Sequence, residues 1–256
     1  MTASSALLQR RDGHVVTLTL NRPPHNFVDE PTMQLIADTF ATLDDDRECR
    51  AIVLAAEGKS FCAGADFSAV TTGGSAMDPT GFYANAMRLF DNRKPVVAAI
   101  RGSAVGAGLG LALVADFRVT CADARFSANF NRLGFHPGFG LSHTLPRLIG
   151  VQRASLLFYT GRRIGGAEAA AIGLVDELVA PDAVLSQAQA LATEIAQSAP
   201  VAVLSTRRTL RLGLAEKVRA LNARELAEQQ VHFGTDDFRE GINAMAERRT
   251  PRFTGR

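Results

Sequence analysis

Two glycine-rich stretches, "FCAGADF" (61–67) and "GSAVGAGLG" (102–110), are the first parts of this chain that suggest chemistry. Each lies between an apolar, β-branched run and a helical pattern. Junctions of this kind present amide hydrogens that have no acceptor within the helix, and an anion can bind there. Taken singly, each also fits an ordinary glycine-containing helix start. No Gly-Lys-Ser/Thr follows "GAGLG", so it is not a nucleoside-triphosphate loop, and its spacing is not that of the dinucleotide fingerprint. A third stretch, "FSANFNRLGFHPGFG" (126–140), carries one histidine and no carboxylate. Ser127, Asn129 and Asn131 can hold or orient a ligand but do not titrate usefully near neutral pH. Arg132 stays charged. His136 is therefore either a general base or a residue that packs beside the Pro137–Gly138 turn. Among the other histidines, His143 reads as structural, and His14 and His232 read as surface or interface residues. Cys49, Cys62 and Cys121 are far apart, without metal-ligand spacing. They read as buried, reduced thiols of a cytoplasmic protein.

The elements that must position these residues follow from periodicity. "HVVTLTL" (14–20) and "RAIVLAA" (50–56) read as strands, the second buried on both faces. Between them Met33, Ile36, Phe40 and Leu43 recur at helical spacing. A helix from about Phe82 to Arg93 precedes the buried strand "KPVVAAIRG", and "FRVTCAD" and "ARFSANF" give further extended segments. Strand and helix alternate to about residue 150, which predicts an α/β core with largely parallel strands. From Gln152 onward the pattern is almost wholly helical. With 256 residues the chain suits one large domain. The formal net charge of +2 argues against a non-specific nucleic-acid binder. The most apolar run, Pro95 to Val119, is broken by Arg101, several glycines and Asp116, so no membrane span is expected.

In order and at matching separations, "LNRPPHN", "RAIVLAAEGKSFCAGADFSAV", "KPVVAAIRGSAVGAGLGLALVADFRVTCADARF", "LPRLIGVQRASLLFYTGRRIGGAEAAAIGLVDELV" and "TDDFREGINAMAERRTPRFTGR" resemble the crotonase superfamily, the enoyl-CoA hydratase/isomerase family. The likeness covers nearly the whole chain. It implies a spiral of ββα repeats over 1–195 and a C-terminal helical trimerisation region over 196–256, assembled as a homotrimer or hexamer. It implies an acyl-CoA substrate, coenzyme A entering as part of the thioester and no separate cofactor or metal. The amides of Ala65 and Ala107 would form an oxyanion hole for the thioester oxygen. Ala63, Asp66, Phe67 and Ser68 would contact the bent coenzyme A, with His25 toward its adenine end. Arg248 or Arg249 would meet a coenzyme A phosphate. Tyr83 and Asp78 fall where the family covers the acyl pocket, either as proton donors or as ordinary exposed residues.

The resemblance also exposes a departure. Hydratases of this family carry one glutamate three residues beyond the second oxyanion position, which is Gly110 here. They carry another four residues beyond the Phe of "ARF", which is Phe130 here. Members running other chemistry often place an Asp where this chain has Gly138. All three carboxylates are missing. The expectation is a divergent enzyme, a lyase or isomerase or a thioester-hydrolysing or carbon–carbon-cleaving one, acting on a bulky or unusual acyl group. The alternative is a family member that binds acyl-CoA without turning it over.

Overall fold

The computed structural model describes residues 5–66 and 78–256. Strands β1 (Leu7–Asp12) and β2 (Val15–Leu20) form an antiparallel hairpin. Gly13 makes the turn with φ +53°, a conformation glycine adopts without a Cβ penalty. Beside β2 lie β3 (Ala51–Ala56), β5 (Val96–Ile100), β7 (Phe117–Cys121) and β10 (Glu177–Val179), all parallel. A second sheet runs β4 (Ser60–Cys62), β6 (Ser103–Val105), β8 (Arg125–Ser127) and β9 (Ile164–Gly165). Strands β4, β6 and β8 follow β3, β5 and β7 after short corners, so each turn of the chain leaves one strand in each sheet. The result is the spiral of ββα turns that the resemblance implies.

Helix α1 (Glu30–Asp45) starts where Asp29 accepts from the Thr32 amide at 2.9 Å, with a proline in its first turn. The spiral continues through α2 (Thr80–Arg88) and α3 (Ala107–Ala112). Then come α4 (Leu141–Ile149), α5 (Val151–Thr160), α6 (Gly166–Ala171) and α7 (Val184–Gln197). The buried residues of α7 are Val184, Ala188, Ala192 and Ala196, four apart on one face. That small-residue stripe lies across β2, β3, β5 and β7 and closes the larger sheet. The chain ends in α8 (Pro200–Leu210), α9 (Leu214–His232) and α10 (Asp236–Ala246). Asp116 ties α8 to the sheet. Its carboxylate accepts from the Val96 amide at 2.9 Å, Arg207 at 2.8 Å and Arg211 at 3.1 Å.

Two features depart from the sequence expectation. The segment "LLQRRD" lacks alternation because its side chains are mostly exposed, yet it pairs along the whole of β2. After Gln152 the extended reading of "VDELVA" is met by β10, but β9 falls inside "RRIGGAEAAAIG", which reads as helix throughout. With two residues, β9 is too short for a period to be read.

Candidate active site

The two glycine-rich junctions meet at one cavity of about 190 Å³. After β4, residues 63–66 run beside Val28. The Val28 amide donates to Gly64 O and the Asp66 amide donates to Val28 O, both at 3.0 Å. Ala65 sits between these bonds, so its own N–H takes no part in the bridge. Ala107 is the first residue of α3, where an amide has no intrahelical acceptor. Glycine permits the approach of the two segments. An ideal Cβ on Gly108 would lie 2.1 Å from Cys62 O, so only glycine lets α3 begin directly on β4. Gly106, with φ +55°, turns the chain into α3, and its amide donates to Ser127 O at 2.9 Å.

Ala63, Ala65, Asp66 and Ala107 all line this cavity. Phe130 forms part of its apolar wall, with Phe82, Leu133, Phe135 and Phe233. Its ring meets Phe135 edge-on at 5.4 Å. The place where the resemblance puts a glutamate is thus hydrocarbon. Tyr83, Asn129 and Gln229 are polar groups of the lining. Asp78 lines it too and accepts from the Thr80 amide at 3.0 Å; the Thr80 hydroxyl and amide hold its carboxyl below the usual carboxylate range. Phe67 and Ser68 lie outside the described residues.

His136 does not join the cavity. Its ring lines a separate surface depression with Asn131, His232, Asp237 and Phe253. Its Nδ1 lies 2.8 Å from Pro137 O, and its amide donates to His232 Nδ1 at 3.2 Å. His136 is absent from the lining that holds Ala65 and Ala107, so the role of general base in the acyl pocket is withdrawn. Arg249 is also differently engaged. Its guanidinium donates to Glu240 at 2.5 and 2.7 Å and to Glu247 at 2.5 Å. Two carboxylates neutralise it, so it is not a free cation awaiting a phosphate.

The missing carboxylates are explained by what fills their space. An ideal Cβ on Gly110 would lie 2.5 Å from Phe139 Cγ. An ideal Cβ on Gly138 would lie 2.0 Å from the Tyr83 hydroxyl oxygen. Phe139 and Gly140 both have positive φ, +65° and +69°, and this double left-handed turn drives the Phe139 ring inward. There it stands edge-on to Phe82 at 6.2 Å and Phe90 at 6.5 Å. Glu225 of α9 holds the turn, accepting from the Gly140 amide at 2.7 Å, the Ser142 amide at 2.9 Å and the Ser142 hydroxyl at 2.5 Å. Burial raises its pKa. One turn on, Gln229 donates from Nε2 to the Tyr83 hydroxyl at 3.0 Å and to His136 O at 2.8 Å.

Glu225 and Gln229 were not singled out by sequence reasoning. Their signal is a stripe on α9: Val218, Asn222, Glu225 and Gln229 are buried at intervals of four, three and four. Polar residues at core spacing mark a helix that serves polar groups beneath it.

Comparison with known proteins agrees with this fold. The enoyl-CoA hydratase/isomerase family model matches residues 10–256. The chain belongs to the enoyl-CoA hydratase/isomerase family. A carnitinyl-CoA dehydratase of Salmonella arizonae is 36% identical over 261 residues, covering 98% of this chain and 99% of the relative. The solved carnitinyl-CoA hydratase of Mycobacterium avium superposes with a TM-score of 0.90 at 29% identity, covering 99% of this chain and all of that one. The enoyl-CoA hydratase/isomerase of Pseudoalteromonas atlantica superposes at 0.89 with 28% identity over 98% of this chain. Among the described residues no helix is long and apolar enough to cross a membrane. No cluster of three His, Cys, Asp or Glu there could hold a metal ion.

Proposed function

We propose that the protein binds an acyl-CoA thioester with its carbonyl oxygen between the amides of Ala65 and Ala107, and that it stabilises the enolate that forms there. The observation that carries this reading is the convergence of two unpaired backbone amides on one apolar cavity. Negative charge develops on the thioester oxygen when a bond at the α-carbon gives up its electron pair. Donors fixed in advance, among aromatic side chains that exclude water, stabilise that charge without reorganising. The acyl group lies against Phe82, Phe130 and Phe135, walls that suit a bulky, apolar or aromatic chain. Ala63 and Asp66, with Phe67 and Ser68 beyond them, carry the coenzyme A. The relatives named for carnitinyl-CoA support an acyl-CoA ligand. The loss of acidic groups at 110, 130 and 138 supports a divergent reaction rather than straight-chain hydration.

Infrared difference spectroscopy tests the oxyanion hole directly. A ¹³C=O-labelled thioester is expected to show its carbonyl stretch displaced to lower frequency on binding, because two donors polarise it. A bound thioester with the frequency it has in water would rule the assignment out.

The same reading includes self-association. Val201, Leu210 and Leu212 are 80%, 70% and 85% exposed on and just after α8. Leu210 also lines a groove of about 760 Å³ between α8, α4 and β7. A second copy of the chain supplies the cover, as a trimer or a pair of trimers. Sedimentation velocity at micromolar concentration is expected to give a species about three or six times the 27.3 kDa chain mass; a sole 27.3 kDa species would contradict it.

A further inference from the structure

We propose that the Tyr83 hydroxyl is the acid of this site, delivering a proton to the α-carbon of the bound enolate, and that Gln229 is the residue that positions it. The inference rests on the enolate reading above and adds the group that completes the reaction.

The geometry carries it. Tyr83 lines the same cavity as Ala65 and Ala107 and is only 6% exposed. Its oxygen occupies the space that any side chain on residue 138 would enter. The phenol, carried on α2, therefore fills the space beside the 138 turn. Its orientation is fixed by logic of donors and acceptors. His136 O can only accept, so the Gln229 group facing it is the NH₂. That same nitrogen faces Tyr83, so the phenol oxygen is an acceptor in that bond. The phenol proton then has no acceptor among the described residues. Gln229 is fully buried, lines the cavity, and has an Oε1 without a partner. A buried donor and a buried acceptor left open at one cavity are expected to meet a ligand.

The step balances. The phenol O–H bond breaks, a C–H bond forms at the α-carbon from the enolate electron pair, and the thioester carbonyl is restored. The phenolate keeps the hydrogen bond from Gln229 Nε2 and takes its proton back from water, leaving hydroxide. In reverse, the phenolate removes an α-proton. Burial raises the Tyr83 pKa above the ordinary phenol range, against the Gln229 hydrogen bond, which lowers it. At neutral pH the group is an acid, and its basic form grows as pH rises. The other charged groups around it are Glu225 beneath, Asp78 on its own segment, Asp29 and Glu30 at the start of α1, and Asp66.

Solvent exchange tests the assignment. Phenylacetyl-CoA, with an acidified α-proton, is incubated with the full chain in D₂O and α-deuteration is followed by mass spectrometry. For the parent the rate is expected to rise about tenfold per pH unit from about pH 8 to 10, as a rising phenolate fraction requires. Tyr83→Phe keeps the ring and is expected to lower exchange by about 10²-fold or more, with thioester binding and melting temperature unchanged. Gln229→Met is expected to lower it by about tenfold while keeping the slope. Parental exchange in Tyr83→Phe, or a flat parental profile such as a carboxylate base would give, overturns the role of Tyr83 and leaves the enolate reading standing. A parent that binds the thioester without exchange at any pH removes the enolate reading, and this inference with it.

Discussion

Crotonyl-CoA is expected to be hydrated on the order of 10⁴-fold more slowly by this protein than by a family member with both glutamates. Hydration needs one group to take a proton from water and another to return one, and each general acid or base contributes about 10²–10⁴-fold. Here the two positions are Gly110 and Phe130, and neither can move a proton. A single phenol at Tyr83 offers an acid but no matched base for water. Restoring one carboxylate is not expected to help. Gly110→Glu would force a Cβ to within 2.5 Å of Phe139 Cγ in the packed centre of α3. Overpacking of that kind costs about 1–3 kcal/mol, and the added carboxylate would stand among Phe139, Phe82 and Phe90. The variant should therefore melt earlier and still not hydrate crotonyl-CoA. The check is absorbance loss of the enoyl thioester. A parental turnover near ~10² per second, above the usual enzyme median, would show that another pair of groups does the proton work.

Ala107→Pro is expected to lower turnover of the protein's own thioester by about 10²–10³-fold, the effect of losing one oxyanion donor. A backbone amide cannot be removed by trimming a side chain, but proline removes it outright. The first position of a helix tolerates proline because its N–H has no helical acceptor to lose. Ala107 is such a position. The substitution should leave circular dichroism and the sedimentation profile as in the parent while activity falls. An equally active Ala107→Pro variant would mean that the thioester oxygen sits elsewhere.

The fold was legible in the sequence wherever a run was long enough to show a period. Strands β3 and β5 read near their true limits, and helix α1 shows in its apolar spacing, because each buries a continuous face. β1 was not, since an edge strand with exposed side chains has no alternation to betray it. The positions of Ala65 and Ala107 at one cavity followed from the glycine-rich junctions and the family likeness together. His136 was misplaced by an argument from elimination: it was the one titratable group in its stretch, but the direction of a side chain at a Pro–Gly turn is set by tertiary packing. Arg249 was misplaced because its partners, Glu240 and Glu247, lie on the chain just before it and claim the charge first. What the sequence hid most completely was the pairing of Gly138 with Tyr83, since neither residue's type announces a neighbour 55 positions away.

That pairing constrains the order in which the site can change. A side chain at 138 would meet the phenol oxygen at 2.0 Å and Gln229 Nε2 at 2.6 Å, so a Tyr83 shortened first removes the nearer contact and leaves only the flexible end of Gln229 to give way. Exchange of the phenol for a carboxylate at 138 is therefore easier in one order: with the phenol lost first, the carboxylate displaces only Gln229, whereas the reverse order passes through a clash with the Tyr83 ring.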